Sequence, residues 1–511
     1  MPNRQPRKIP LIKKADFLPA LSIFLCFLGV LVRLVQYFNN RALWDDEAKV
    51  AFNLINRSYS ELFDVLDYNQ AAPPGFLLIE KSAIQILGDN EYAFRLLPFL
   101  AGITSIFLFY QLANKYASKT AVPIAIALFS CSRHLIHYTT EVKQYSSDVM
   151  VALGLCLVLL PQHGKMLTKK QIIAFAILGS ISIFLSHPAV LILAGIELSH
   201  LLFTVAKRRY QTILNRLTIY LTWLIAFGLV YAFNIRVTMG NAALVQGWES
   251  RYPASWVDIV WLFDAFGKFF YHPLGFGSPF DGIAIFAFLV GCVAFYRQNR
   301  IVLITLLLPF GTTFFAAYLH AYPFKNRLVL FLTPFAILLI AEGIHCLLAQ
   351  FKQDRYYQGL LGLLLLVSLA LPPMNRTVRL IISPELKQEI RPVIAYIQTH
   401  REPHDAIYIY QSGQQSFRYY AGKYGLSEND YILGERKMFL SPSRISHEGL
   451  KAVDREIDPL RGKPRVWFII TKSWDIEEII FVAYLNQRGK QLDKFQKTAA
   501  TVYLYDLRET Q

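Results

Sequence analysis

The chain has 511 residues, of which 54 % are hydrophobic and 17 % charged, with a formal net charge of +16. So few charged side chains cannot coat several soluble domains, and the same composition excludes a disordered chain, a collagen-like repeat and a disulfide scaffold. A multi-spanning α-helical membrane protein remains.

The basic segment from Arg4 to Lys14 leads straight into apolar residues 17–38 without a small-x-small cleavage pattern, which predicts a retained first span. Further stretches near the length that crosses about 30 Å of hydrocarbon follow. They lie at 92–113, 120–138, 145–161, 171–186, 188–206, 217–237, 281–297, 301–320, 328–349 and 357–372, about eleven spans in all. Pro74 to Gly88 is apolar but short and carries Glu80 and Lys81, which suits a helix lying at the interface.

The connectors alternate in character. Short basic ones carry Lys115 and Lys119, then Lys165, Lys169 and Lys170, then Lys207, Arg208, Arg209 and Arg216, then Arg297 and Arg300, then Lys352 and Arg355. The others, 39–91, 138–144, 238–280 and 320–327, are poorer in Lys and Arg per residue. Lys and Arg are retained on the cytosolic side, so the N-terminus is expected in the cytosol and the C-terminus outside, with the plasma (inner) membrane as the location. The +16 charge then records topology and attraction to anionic membrane lipid, with no nucleic acid implied.

After Pro372-Pro373 the composition turns mixed. Strand-like runs at 406–410, 431–433, 465–470 and 501–505 alternate with helix-like stretches at 384–398, 416–424, 443–457 and 475–488. This predicts a transmembrane domain over 1–374, with a first outer loop at 39–91, and a small extracytoplasmic α/β domain over 375–511. The domain has no phosphate-binding glycine loop, so it reads as a support or acceptor-recognition module. Cys26, Cys131, Cys156, Cys292 and Cys346 lie in or beside spans, which predicts buried free thiols.

Three clusters of ionisable residues fall on the outer face under this topology. The first is Trp44-Asp45-Asp46-Glu47-Ala48, which also reads as the acidic first turn of a helix. The second is Glu141-Val142-Lys143-Gln144-Tyr145 with Asp148, where Lys143 either pairs with a carboxylate or meets a ligand. The third is Tyr322-Pro323-Phe324-Lys325-Asn326-Arg327, where Arg327 either snorkels or holds a phosphate through its planar fork.

Trp44-x-Asp46-Glu47-Ala48, Gln70-x-x-Pro73-Pro74-Gly75-Phe76 and Gly88-x-x-Glu91-x-x-x-Arg95-Leu96-x-Pro98 together resemble the C-type glycosyltransferase superfamily. The branch is that of protein O-mannosyltransferases and lipid A aminoarabinose transferases. Glu141-x-Lys143-x-Tyr145 and Tyr322-Pro323-x-x-x-Arg327 are similar to its bacterial dolichyl-phosphate-mannose mannosyltransferase-like members. The resemblance implies a polyprenyl-phosphate sugar donor, transfer of a hexose to a hydroxyl, and a site on the non-cytosolic face. The acceptor could be lipid, polysaccharide or protein.

The family's Asp-Glu pair maps onto Asp46 and Glu47, with Asp46 expected as base and Glu47 orienting it or the acceptor. Lys143, Tyr145 and Arg327 are then expected at the donor phosphate. Glu141 either offsets positive charge on the anomeric carbon or joins Asp46 around a divalent metal, Mg or Mn. Asp45, Gln70 and Arg95 are supporting residues. Gln70 and Ala72 stand where relatives carry a Lys or His before the Pro-Pro turn, so Lys143 or Arg327 is expected to compensate. A transporter or lipid flippase of the envelope-glycan pathway is the alternative, and it calls for charges within several spans.

Overall fold

A computed structural model describes residues 14–249, 251–353, 355–435, 439–441, 444–445, 447–471 and 475–508. The basic residues from Arg4 to Lys13, and Ser443 at the start of one expected helix, lie outside the described residues. The chain forms two compact units. The first comprises the described parts of Met1–Phe38, Ser58–Ile86 and Arg95–Pro384. The second comprises those of Asn39–Arg57, Leu87–Phe94 and Glu385–Gln511.

The first unit is helical. Nine described helices are long and apolar enough to cross a bilayer: Phe17–Phe38, Glu91–Tyr116, Tyr145–Gln162, Ala189–Ala206, Leu217–Met239, Phe280–Gln298, Arg300–Tyr318, Asn326–Phe351 and Tyr356–Ile382. The two other expected spans are helices of 10 residues, Ala121–Ser130, and 17 residues, Lys169–Leu185. The first is cut short at Cys131, after which the chain turns into the short helix Arg133–His137. The second, rising about 1.5 Å per residue, stays a little under the hydrocarbon thickness. Pro74–Leu87 is a 14-residue helix, as its length suggested.

Small residues set the closest packing. Helices Phe280–Gln298 and Thr333–Leu348 cross where Gly291 faces the Leu339 carbonyl and Gly343 faces that of Ala287. A Cβ on either glycine would lie 1.8 Å or 2.0 Å from the opposing oxygen. Such contacts let helix backbones approach in the absence of a hydrophobic drive between spans. Arg33, inside the first span and buried, donates from Nη1 to the backbone oxygens of Gly29 at 2.9 Å and Ser130 at 3.1 Å. The last helix continues through Pro372-Pro373 to Ile382. Proline crowds the turn before it but leaves the next turn free to be helical, and Thr377 Oγ1 donates to the Pro373 carbonyl at 3.0 Å.

The second unit is built on a five-stranded sheet. Its strands are β1 (Ala406–Ile409), β2 (Ile432–Leu433), β5 (Val466–Thr471), β6 (Lys490–Lys497) and β7 (Ala500–Asp506), in the order β2-β1-β5-β7-β6. A separate hairpin pairs β3 (Phe439–Ser441) with β4 (Arg444–Ile445). β1 runs parallel to β2 and β5, whereas β5–β7 and β7–β6 are antiparallel. Helices Ile390–His400, Gln414–Ala421, His447–Ile457 and Asp475–Asn486 accompany the sheet, and Tyr408, Phe468, Phe481 and Tyr505 fill its core. β6 was not visible as a hydrophobic run because it is a largely exposed edge strand, KQLDKFQK, held by its pairing to β7.

Candidate functional site

In the second unit, Asp45, Asp46 and Glu47 form the first turn of helix Asp45–Asn56, where exposed amides and the helix dipole favour acidic groups. Glu47 is fully buried. Its Oε2 pairs with Arg41 at 3.2 Å and accepts from the Trp44 amide at 3.4 Å, closing the helix start. Asp45 binds Lys49 Nζ at 2.7 Å, and its Oδ1 accepts from the Gln415 amide at 3.1 Å. Asp46 lies between them, partly exposed.

The chain leading to this turn is anchored residue by residue. The Ala42 amide donates to Glu389 Oε1 (3.0 Å), the Leu43 amide to Tyr420 Oη (2.8 Å) and the Asp45 amide to Gln388 Oε1 (3.0 Å). Tyr420 in turn donates to Glu91 Oε1 at 2.7 Å, and Arg391 pairs with the same oxygen at 3.4 Å. Tyr420 is buried, and burial beside Glu91 pushes its hydroxyl well above the usual phenol range. None of these partners was a candidate from sequence, since Tyr420, Gln388 and Glu389 lie some 340 residues or more along the chain from what they hold.

In the first unit, a short helix and one tight turn carry Arg133–Thr140 into the start of helix Tyr145–Leu159. Lys143 Nζ donates to Gln70 Oε1 at 2.6 Å, and Gln70 Nε2 to the Tyr68 carbonyl at 3.1 Å. Lys143 therefore holds the turn that precedes Pro73-Pro74. His137 Nε2 lies 2.5 Å from Glu141 Oε2, with Glu141 fully buried. Tyr145 packs edge-on against Tyr138, ring centroids 5.0 Å apart, and the Arg327 guanidinium lies 5.5 Å from the Tyr145 ring. Arg95 is buried on helix Glu91–Tyr116.

A cavity of about 440 Å³ opens beside these residues, lined among others by Asn69, Tyr138, Trp248, Arg251, Lys325 and Arg327. Its lining holds three fixed cations and no Asp or Glu. Arg251 stacks on Trp248 at 4.1 Å, which holds its fork in one plane. Asn326, at φ 48°, turns the chain so that Lys325 and Arg327 both reach the lining, and Tyr322 Oη braces the turn through the Leu328 carbonyl at 2.7 Å. Burial, then the neighbouring charges of Arg251 and Lys268, lowers the Lys325 ammonium; burial and Arg327 lower the Arg251 guanidinium. Like charges gathered in one concavity are relieved by an anion. Burial and the nearby arginines also keep His272, at the same lining, neutral, its value lowered to about 4.

Of the expected phosphate ligands, Arg327 lines this cavity, Tyr145 sits behind it, and Lys143 lies off the lining. Arg251 and Lys325, which also line the cavity, were not among the expected site residues. Lys325 stood beside Arg327 in the sequence, and the Trp248-x-x-Arg251 spacing was a legible signal in an otherwise sparse loop. Among the described residues, no three His, Cys, Asp or Glu gather to hold a metal, and the expected pair Asp46 and Glu141 falls in different units.

No curated protein matches this sequence. Residues 71–234 match the family model described as dolichyl-phosphate-mannose-protein mannosyltransferase. The structure is similar to that of apo ArnT from Cupriavidus metallidurans, with a TM-score of 0.51, 12 % identity, and coverage of 96 % of this chain and 98 % of that one. A second ArnT structure, bound to undecaprenyl phosphate, gives a TM-score of 0.49 at 11 % identity, covering 96 % and 97 %. The oligosaccharyltransferase of Archaeoglobus fulgidus, solved with zinc and sulfate, gives 0.53 at 12 % identity, covering 94 % of this chain and 72 % of that one. The chain thus shares the fold of ArnT and of the archaeal oligosaccharyltransferase, with nine described helices long and apolar enough to cross a membrane, and over residues 71–234 it matches the mannosyltransferase family model.

Proposed function

We propose that this protein moves a hexose from a polyprenyl-phosphate donor to an acceptor hydroxyl at the non-cytosolic face of the plasma (inner) membrane. The observation that carries this reading is the cavity in the membrane-spanning unit with Arg251, Lys325 and Arg327 on its wall and no carboxylate among its lining residues. A lipid phosphate reaches such a cavity with its tail still in hydrocarbon, and the distribution of basic connectors along the sequence supports an outer position for this end of the bundle.

When the glycosidic bond to phosphate breaks, negative charge grows on the departing oxygen. Cations already fixed in place stabilise that charge without reorganising, and guanidinium forks do so with two parallel bonds. Tyr145 keeps the Arg327 plane oriented. Asp46 takes the proton of the attacking hydroxyl. Glu47, buried against Arg41, is a positioning residue for it. Glu141 offsets positive charge at the anomeric carbon; its field reaches Tyr138 on the cavity wall. A single displacement inverts the anomeric centre. The acceptor is a lipid, polysaccharide or protein hydroxyl.

The test is donor binding by purified protein in lipid nanodiscs, using labelled polyprenyl-phosphate hexose. Losing one charge-assisted contact costs about 1.5–3 kcal/mol, so Arg327→Ala is expected to weaken donor binding roughly 10- to 150-fold. Unchanged affinity in both Arg327→Ala and Arg251→Ala would remove the support for this reading.

A further inference from the structure

A second cavity in the membrane-spanning unit, about 220 Å³, shares no lining residue with the first. Its mouth carries Arg133 and Arg376, both exposed. Its walls are largely apolar, with Ser278 and Ser368 among them: Leu128, Ile337 and Leu369 come from helices Ala121–Ser130, Thr333–Leu348 and Tyr356–Ile382, and Phe276 and Phe280 close another side. Inside it lies Ser132, 5 % exposed, whose hydroxyl has no hydrogen-bond partner. A buried hydroxyl without a partner costs free energy unless a ligand supplies one.

The geometry points to a binding site for the phosphate headgroup of an anionic membrane lipid, separate from the donor cavity. Two guanidinium groups match a phosphate diester in charge and in fork geometry. The Ser132 hydroxyl is a neutral donor to a third oxygen. The apolar walls select a lipid over a soluble anion. Leu128, Ile337 and Leu369 offer an acyl chain a dry surface, which a free phosphate would leave exposed to water. Two of these walls belong to helices that cross the bilayer, so a lipid reaches the site laterally without leaving hydrocarbon. The two cavities are linked along the chain by residues 272–274. His272 lines the first cavity and Leu274 the second, with His134 Nδ1 3.0 Å from the Pro273 carbonyl between them.

The experiment measures retention of phosphatidylglycerol by delipidated full-length protein, using native mass spectrometry with phosphatidylcholine as the neutral reference. Wild type is expected to keep one phosphatidylglycerol per chain and to prefer it at least tenfold. The Arg133→Gln/Arg376→Gln double variant is expected to lose that preference. Leu369→Trp, which fills the cavity and keeps both arginines, is expected to lose it too, and this guards against a double variant that fails to fold. Arg251→Gln, in the donor cavity, is expected to keep it, so a failure of the donor reading stays distinct from a failure here. Equal retention of both lipids by wild type, full preference in Leu369→Trp, or displacement of the lipid by millimolar inorganic phosphate would each overturn the proposal.

Discussion

Replacing Tyr420 by Phe removes one oxygen and tests how the acidic loop is held. That oxygen donates to Glu91 Oε1 at 2.7 Å and accepts from the Leu43 amide at 2.8 Å. A hydrogen bond to a charged acceptor contributes about 1.5–3 kcal/mol, and an orphaned buried amide costs about 1–3 kcal/mol. Arg391 remains on Glu91 and limits the first loss. A local destabilisation of about 3 kcal/mol is therefore expected. By the tenfold-per-1.4 kcal/mol relation it corresponds to amide exchange at Leu43 faster by roughly 100-fold. Hydrogen-exchange mass spectrometry reads this directly, in a peptide spanning 40–50, with β5 and β7 as internal references. Because Asp46 directly follows the three bonds of this ladder, kcat should fall while donor KM stays near wild type. Unchanged exchange over 40–50, or equal acceleration in β5 and β7, would refute a local anchoring role.

Glu80 and the glycine crossing give two further tests. Glu80 on helix Pro74–Leu87 is fully buried, and neither carboxylate oxygen has a hydrogen-bond partner, so burial raises it well above 4.5. The folded state then holds a proton that the unfolded chain releases. The associated stability is present below pH 4.5 and is lost as pH rises toward the folded value. Glu80→Gln should match wild type in Tm near pH 4 and exceed it by a few degrees at pH 8; a variant less stable at pH 8 would contradict this. At the helix crossing, Gly291→Leu forces a side chain onto the Leu339 carbonyl, whereas a Cβ at Gly311 meets nothing within 4 Å. Gly291→Leu should cost more than the about 1–3 kcal/mol typical of overpacking, and Gly311→Ala should cost nothing, as read by thermal denaturation in detergent; equal Tm values for the two would refute the contact.

Length and apolar run were enough to locate nearly every membrane helix, because crossing hydrocarbon imposes a composition that few other structures share. They could not show that the run at 120–138 breaks at Cys131, since the break puts apolar and polar residues into a tight turn without changing the local average. Strands β1, β5 and β7 were legible as hydrophobic runs, whereas edge strand β6 carried no such signal. At the site, Arg327 and the acidic turn were legible as charges in loops beside apolar runs. What held them was not. The contacts of Lys143 with Gln70, and of Tyr420 with Leu43 and Glu91, join segments 73, 377 and 329 residues apart. Such partners share no periodicity, and only the fold brings them together.

The proposal that Asp46 takes the proton of the attacking hydroxyl is the central claim to test. The decisive measurement compares wild type with Asp46→Asn in nanodiscs, following both donor binding and hexose release from labelled polyprenyl phosphate. Expected is a loss of turnover of at least 100-fold, in the range that removal of a general base produces, with donor affinity retained. Turnover at the wild-type rate in Asp46→Asn would contradict the assignment and leave Asp46 as the acidic first turn of a helix.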